Sequence, residues 1–272
     1  MILPDFVLTT RANQLWDYHG LDTEEFCLSK SYFENYPHEV SYKYNSRGFR
    51  DEEWLEDIEK LKKCIWCFGD SFTTGMGCPY DSIWVKSLEQ QYTKAISVTL
   101  NKDVNVRTIN ISMDGASNEW ISRKVLRVIE EIDPKLMIIH WSYFDRREDP
   151  DTSLIDEDRR ISLLSDGDYQ DNKHHQDLHV NLKNTLKCIK KVENSNHSGT
   201  IIHSVICDEI NFYPYATSRS IHNSIKSICK NYTIFQEKVD LARDGNHYGI
   251  NTNFLLASKI LEKIIHVKWV NK

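Results

Sequence analysis

The sequence predicts a three-layer α/β/α sandwich on a doubly wound, five-stranded parallel sheet, preceded by an N-terminal extension. Three observations point there. From Lys63 onward, short apolar runs rich in β-branched and aromatic residues alternate with amphipathic stretches of helical period. The strand–helix alternation recurs five times, as in a parallel sheet covered by helices on both faces. A chain of 272 residues is also long enough to bury one large core. Right-handed crossovers then make the doubly wound, flavodoxin-like order the expected one.

Residues 1–60 read as the extension packed on the core. They carry many aromatics, among them Trp16, Tyr18, Tyr42 and Tyr44, with no clean period, and NSRG at 45–48 reads as a turn. Residues 61–272 form the sandwich domain. Its first strand is CIWCF (64–68), and the helix SIWVKSLEQQY starts near Ser82. The second strand, VNVRTINIS (104–112), leads to a helix with Ser117 at its N-cap position and Pro134 at its stop. The third is LMIIHWS (136–142). After it, 146–172 is long, charged and rich in turn residues, which reads as a lid-like loop. The helix DLHVNLKNTLKCIKKVEN, the strand TIIHSVI (200–206), the helix SIHNSIKSICKN and the strand YTIF (232–235) follow. The last helix has Asn251 where an N-cap belongs.

Composition removes several classes of function. A net charge of −6 with no basic block gives no field favouring nucleic acid. In MILPDFVLTTRANQ no basic region precedes the apolar residues, and Pro4 and Asp5 interrupt them, so neither a signal peptide nor a membrane span is read. Seven cysteines, an odd number without regular spacing, suit reduced thiols and a cytoplasmic location. Cys64 and Cys67 form a CxxC, but residues three apart on a strand face opposite ways, so burial is the expected role. His175 and His179, with Asp171 a turn before, read as a solvated helix face. His140 and His203 lie within strand runs and read as satisfied core or edge residues. SDGDYQDN (165–172) lacks the closing glutamate of a calcium loop and reads as part of the lid. No metal and no organic cofactor is expected.

The turn after the first strand is where chemistry is expected, because ligands of open parallel sheets bind beyond the carboxyl ends of the strands. IWCFGDSFTTGMG (65–77) presents Asp70 and Ser71 there. It lacks the lysine and spacing of a phosphate loop, departs from a flavin phosphate loop at Phe72 and Gly77, and has no GxSxG elbow. On residue types alone, capping of the next helix by Asp70 and Ser71 remains the plainer reading. The turn LARDGNHYGIN near the C-terminal end supplies Asp244 and His247. A histidine held by a carboxylate can deprotonate a serine, and both segments lead to the same sheet edge.

GDSFTTG (69–75) after an apolar strand, with DGNH (244–247) before the last helix, resembles the first and last blocks of the SGNH, or GDSL-type, hydrolase superfamily. YNSRGFRDEEW (44–54) and WVKSLEQ (84–90) also resemble stretches of that family, so the likeness runs from about residue 44 to 265. The resemblance implies Ser71 as nucleophile, His247 as general base and then acid, and Asp244 as its orienting carboxylate. It implies an oxyanion hole from the N–H groups of Ser71 and Gly115, the latter within NISMDGASN (110–118). The family's third block, GxND, whose asparagine donates to the oxyanion, is absent: HWSYFDRRE (140–148) has no asparagine, and Ser142 or Tyr143, falling in its place, is the candidate for a hydroxyl donor to the oxyanion hole. The implied activity is a serine esterase working through an acyl-enzyme. A short acyl group such as acetyl, carried by a small molecule or a glycan, is the expected substrate. Two alternatives stand beside it: an SGNH-fold glycan- or protein-binding protein with little turnover, and an acyltransferase.

Overall fold

The computed structural model describes residues 6–146, 148, 171–206, 214–235 and 237–270. Four parallel strands form the central sheet: β3 (Ile65–Gly69), β4 (Thr108–Ser112), β5 (Leu136–Trp141) and β6 (Thr200–Val205). Their spatial order is β4-β3-β5-β6. In register, Ile65 lies opposite Thr108 on one side and Leu136 on the other, and Leu136 lies opposite Thr200. The chain thus leaves β3 for one neighbour, β4, and returns across it to the other, β5. That reversal opens a crevice beyond Gly69, where ligands of such sheets bind.

Every residue of β3, β4 and β5 is buried, as expected for strands covered on both faces. One face sets Trp66, Phe68, Ile111 and Ile139 against α5 (Asn118–Glu131), α6 (Asp171–Glu193) and α7 (Tyr215–Ile228). The other sets Ile65, Cys67 and Ile138 against α4 (Trp84–Leu100) and α8 (Ile250–Val270). These are the three expected layers. Cys64 and Cys67 enter opposite cores, although Cys64 stands one residue ahead of the strand. Among the described residues, no helix is long and apolar enough to cross a membrane.

Several expectations need correction. Among the described residues the sheet has four strands where five were expected: the segment at 232–235 makes a single parallel bridge, Tyr232 to His203. Asn231 O accepts from His203 N and Thr233 N donates to His203 O, each at 2.9 Å. The second strand begins at Thr108, because Val104 and Val106 donate their N–H groups to Ser97 and Thr93 of α4 instead of to a strand. That helix starts at Trp84, after a 3-10 turn over Tyr80–Ser82, and Asn253 Oδ1 accepts the Trp84 N–H at 2.8 Å. Asn251 does not cap α8. Asp240, ten residues upstream of the helix, accepts from Asn251 N (2.9 Å) and Thr252 N (2.8 Å). Ser117 does cap α5, accepting from Trp120 N at 3.1 Å. Most of the lid-like loop 146–172, including SDGDYQDN up to residue 170, and the His175 side chain lie outside the described residues.

The N-terminal segment lies across the mouth of the sheet. β1 (Leu15–Trp16) and β2 (Tyr42–Lys43) pair antiparallel, with one short helix, α1 (Lys30–Glu34), between them in sequence and another, α2 (Ile58–Leu61), after them. NSRG is a turn, with Gly48 N donating to Asn45 O at 2.9 Å.

Candidate active site

Ser71 is the first residue of α3 (Ser71–Thr74), a single turn starting directly above the end of β3. Asp70 is its N-cap and accepts the Phe72 N–H at 3.1 Å. Capping of the turn and presentation of the Ser71 hydroxyl at the strand end are therefore both served by one Asp-Ser pair. So abrupt a change from strand to helix requires glycine at 69, since a Cβ there would stand 2.0 Å from Thr73 Oγ1. At the other end Gly75 adopts φ +75°, closing the turn in the left-handed region that favours glycine.

The carbonyls left open by this short turn are taken by a residue outside the expected set. Arg50, 1% exposed, donates Nη1 to Gly75 O (2.5 Å) and Thr74 O (3.2 Å), and Nη2 to Cys78 O and Ser41 O (both 2.8 Å). Its guanidinium lies 4.5 Å from the Tyr42 ring centroid. The RGFRDEEW stretch thus serves to fix the turn that carries Ser71.

His247 Nε2 lies 2.8 Å from Ser71 Oγ. On the other side, His247 Nδ1 is hydrogen-bonded to Asp244 Oδ2, while Asp244 Oδ1 accepts the N–H groups of Asn246 (2.9 Å) and His247 (3.0 Å). All three side chains are buried. Burial opposes charge on the imidazole, but Asp244, with Asp114 and Asp70, outweighs it and lifts His247 above its ordinary pKa. Burial would likewise raise the Asp244 carboxyl; the facing His247 and the two amides reverse this and hold it below the usual range.

The turn bearing Asp244 is gripped by the N-terminal segment through a closed ring of hydrogen bonds. Gly77 N donates to Tyr42 Oη (2.7 Å), Tyr42 donates to Asp22 Oδ2 (2.5 Å), and Asp22 accepts Arg243 Nε (3.0 Å) and Nη2 (2.7 Å). Arg243 N then donates to Gly77 O at 2.8 Å. The residue before Asp244 is fixed to the loop that follows Ser71.

Among the described residues, the backbone N–H groups of Ser71 and Gly115 have no hydrogen-bond partner. Gly115 follows β4 with φ +70°, and Ser71 follows β3, so the two amides come from adjacent strand ends. Of the two residues in place of the missing asparagine, Ser142 is not a free donor. Its hydroxyl donates to Asp70 Oδ2 at 2.6 Å, and its N–H to Asn118 Oδ1 at 2.9 Å. The Tyr143 ring packs edge-on against Phe72, with centroids 5.9 Å apart. Four residues on, Arg146 donates Nη1 to Asp70 Oδ2 (2.7 Å) and to Ser142 Oγ (3.1 Å), its guanidinium 4.9 Å from the Tyr143 ring. Burial raises the Asp70 carboxyl; Arg146 and Ser142 oppose that shift without cancelling it. Arg146 was unassigned by sequence reading, where its only signal is a cation just past a strand's carboxyl end.

One group of ligand-type atoms lies elsewhere among the described residues: Glu193, His203 and Cys229, within 4.8 Å of one another. His203 Nδ1 accepts the Trp141 Nε1–H at 3.0 Å, which leaves the proton on Nε2, 3.0 Å from Glu193 Oε1. Burial also raises the Cys229 thiol, so neither the imidazole nor the sulfur is disposed as a metal ligand.

No family model matches the chain and no curated protein sequence matches it. Solved structures do. A psychrotrophic esterase from Pseudoalteromonas sp., in a form inhibited by monoethylphosphonate, is 14% identical; the match covers 77% of this chain and 100% of that one, with a TM-score of 0.47. A GDSL-like lipase from Bacteroides thetaiotaomicron is 12% identical over 79% of this chain and 93% of its own, with a TM-score of 0.45. A family 3 carbohydrate esterase from Clostridium thermocellum is 12% identical over 75% and 96%, with a TM-score of 0.44.

Proposed function

We propose that this chain is a serine esterase of the SGNH type that cleaves a carboxylic ester through an acyl-serine intermediate. The observation that carries the reading is the relay from Asp244 through His247 to Ser71 Oγ, with His247 Nε2 at 2.8 Å from the hydroxyl. Serine's hydroxyl is a weak nucleophile until a base takes its proton, and a nitrogen at hydrogen-bond distance is placed to do so. The bond to Asp244 leaves Nε2 free to accept and stabilises the imidazolium that forms.

In this mechanism Ser71 Oγ attacks the ester carbonyl while its proton passes to His247 Nε2. The carbonyl π pair becomes a lone pair on oxygen, facing the N–H groups of Ser71 and Gly115. Collapse expels the alcohol, which takes the proton from His247 Nε2. Water then repeats the sequence on the acyl-serine and releases the acid. Ser71 and His247 are 1% and 3% exposed, and so confined a centre favours a short acyl group such as acetyl.

The test is hydrolysis of p-nitrophenyl acetate together with covalent labelling by a fluorophosphonate. Ser71→Ala should abolish labelling, and His247→Ala should lower turnover by about a million-fold. A wild-type chain that neither labels nor releases acetate would end this reading. Acetate release from acetylated oligosaccharides, with product analysis after adding an acceptor sugar, separates a glycan esterase from an acyltransferase.

A further inference from the structure

An acyl oxygen bound at Ser71 lies beyond three neighbouring strand ends, those of β4, β3 and β5. The first two each bring an unpaired amide, at Gly115 and Ser71. The third brings Ser142, whose hydroxyl proton is engaged by Asp70, and Arg146. Arg146 carries five N–H donors in a planar fork. Among the described residues only Nη1 has a hydrogen-bond partner, and Nε and Nη2 have none. The side chain is nevertheless only 13% exposed, and it is held on the carboxylate of the residue that precedes the nucleophile.

We propose that Arg146 supplies the third hydrogen bond to the acyl oxygen, in place of an asparagine that this chain lacks. The inference rests on the serine-esterase reading. When Ser71 attacks, the carbonyl π electrons become a lone pair on oxygen, and a free guanidinium N–H meets that charge. Arg146 keeps its protons throughout, and the pair returns to the C=O bond when the alcohol departs with the proton from His247. A hydrogen bond from a cation to an anion is about twice as strong as one between neutral groups, so the contact gains strength as charge develops. Asp70 and Ser142 hold the guanidinium in place before substrate arrives.

The competing explanation is that Arg146 is only the counter-ion of buried Asp70. A double-mutant cycle separates the two, because Asn at 70 keeps the cap but removes the charge that needs a partner. Steady-state kinetics on p-nitrophenyl acetate would be measured for wild type, Arg146→Ala, Asp70→Asn and the double variant. An oxyanion donor predicts a kcat loss of about 100- to 1,000-fold on removing Arg146, with KM little changed and a similar factor in the Asp70→Asn background. A factor that vanishes in that background, or a KM rise at constant kcat, overturns the proposal. Should Arg146→Ala fail to fold, Arg146→Lys keeps the charge beside Asp70 and loses the fork; wild-type kcat in that variant also overturns it. If the wild type neither turns over nor labels at Ser71, the esterase reading falls, and this inference with it. A wild type that turns over while the Arg146 variants match it removes the inference alone.

Discussion

Two opposing forces act on the His247 imidazole. Burial disfavours its charge, while Asp244, Asp114 and Asp70 favour it by more, so its pKa lies above 6.5. As a base His247 works only when neutral, so kcat/KM should rise with pH to a midpoint above that of free imidazole. Asp244→Asn removes the largest opposing charge and leaves burial in control. The midpoint should then fall, and turnover with it by about 10,000-fold, as read from pH profiles of p-nitrophenyl acetate hydrolysis. The linkage has a definite sign. A raised histidine pKa contributes stability below its unfolded value, and that contribution is lost as pH rises through the folded value. At this scale the sequence was informative where chemistry demands particular types, as at Ser71, Asp244 and His247. Arg50 and Arg146 were not legible, because their roles depend on distant backbone carbonyls and on a carboxylate 76 residues away.

Helix α8 has its first turn satisfied by a side chain from outside the helix. Asp240 accepts from Asn251 N, Thr252 N and Thr252 Oγ1, the last at 2.7 Å. The same aspartate thereby closes the segment 240–252 that contains Asp244 and His247. Asp240→Ala should cost about 1–2 kcal/mol in chemical denaturation, and should slow Ser71 labelling although no catalytic group is altered. An unchanged labelling rate would show that the turn holds its shape without this closure. Local rules placed Ser117 correctly because its cap is local. They misplaced the cap of α8, since Asn251 has the right residue type and Asp240 the right position in space. The expected fifth strand shows the same limit: β-branched and aromatic residues at 232–235 suit a strand, but the segment makes only one bridge, Tyr232 to His203.

Across the molecule, the alternation of apolar runs and amphipathic stretches was enough to establish the layers and the parallel sheet. The N-terminal segment was harder to read, because aromatic richness says that it packs without saying against what. It packs against the turn that carries Asp244 and His247. Asp22, with a side chain fully buried, binds Arg243 and Tyr42 together. Asp22→Ala leaves a mostly buried guanidinium without its partner and should lower stability by about 3–5 kcal/mol in denaturant titrations. Fluorophosphonate labelling should weaken well before global unfolding, since the released segment is the one that carries Asp244. Coincident loss of labelling and fold would mean that the ring supports the whole domain and not the turn in particular.

On the serine-esterase reading, that ring also fixes when the chain can first become active. Asp22 and Arg243 are 221 residues apart in the chain, and Ser71 and His247 are 176 apart. Contacts of such separation pay their loop-closure entropy before any return, so they form late. On a ribosome, the segment carrying Asp22 and Tyr42 emerges before Arg243, which lies 221 positions after Asp22. A nascent chain stalled short of residue 243 holds Ser71 with neither His247 nor the Arg243 brace. On the serine-esterase reading, such a chain is inert towards esters until residue 247 has been added.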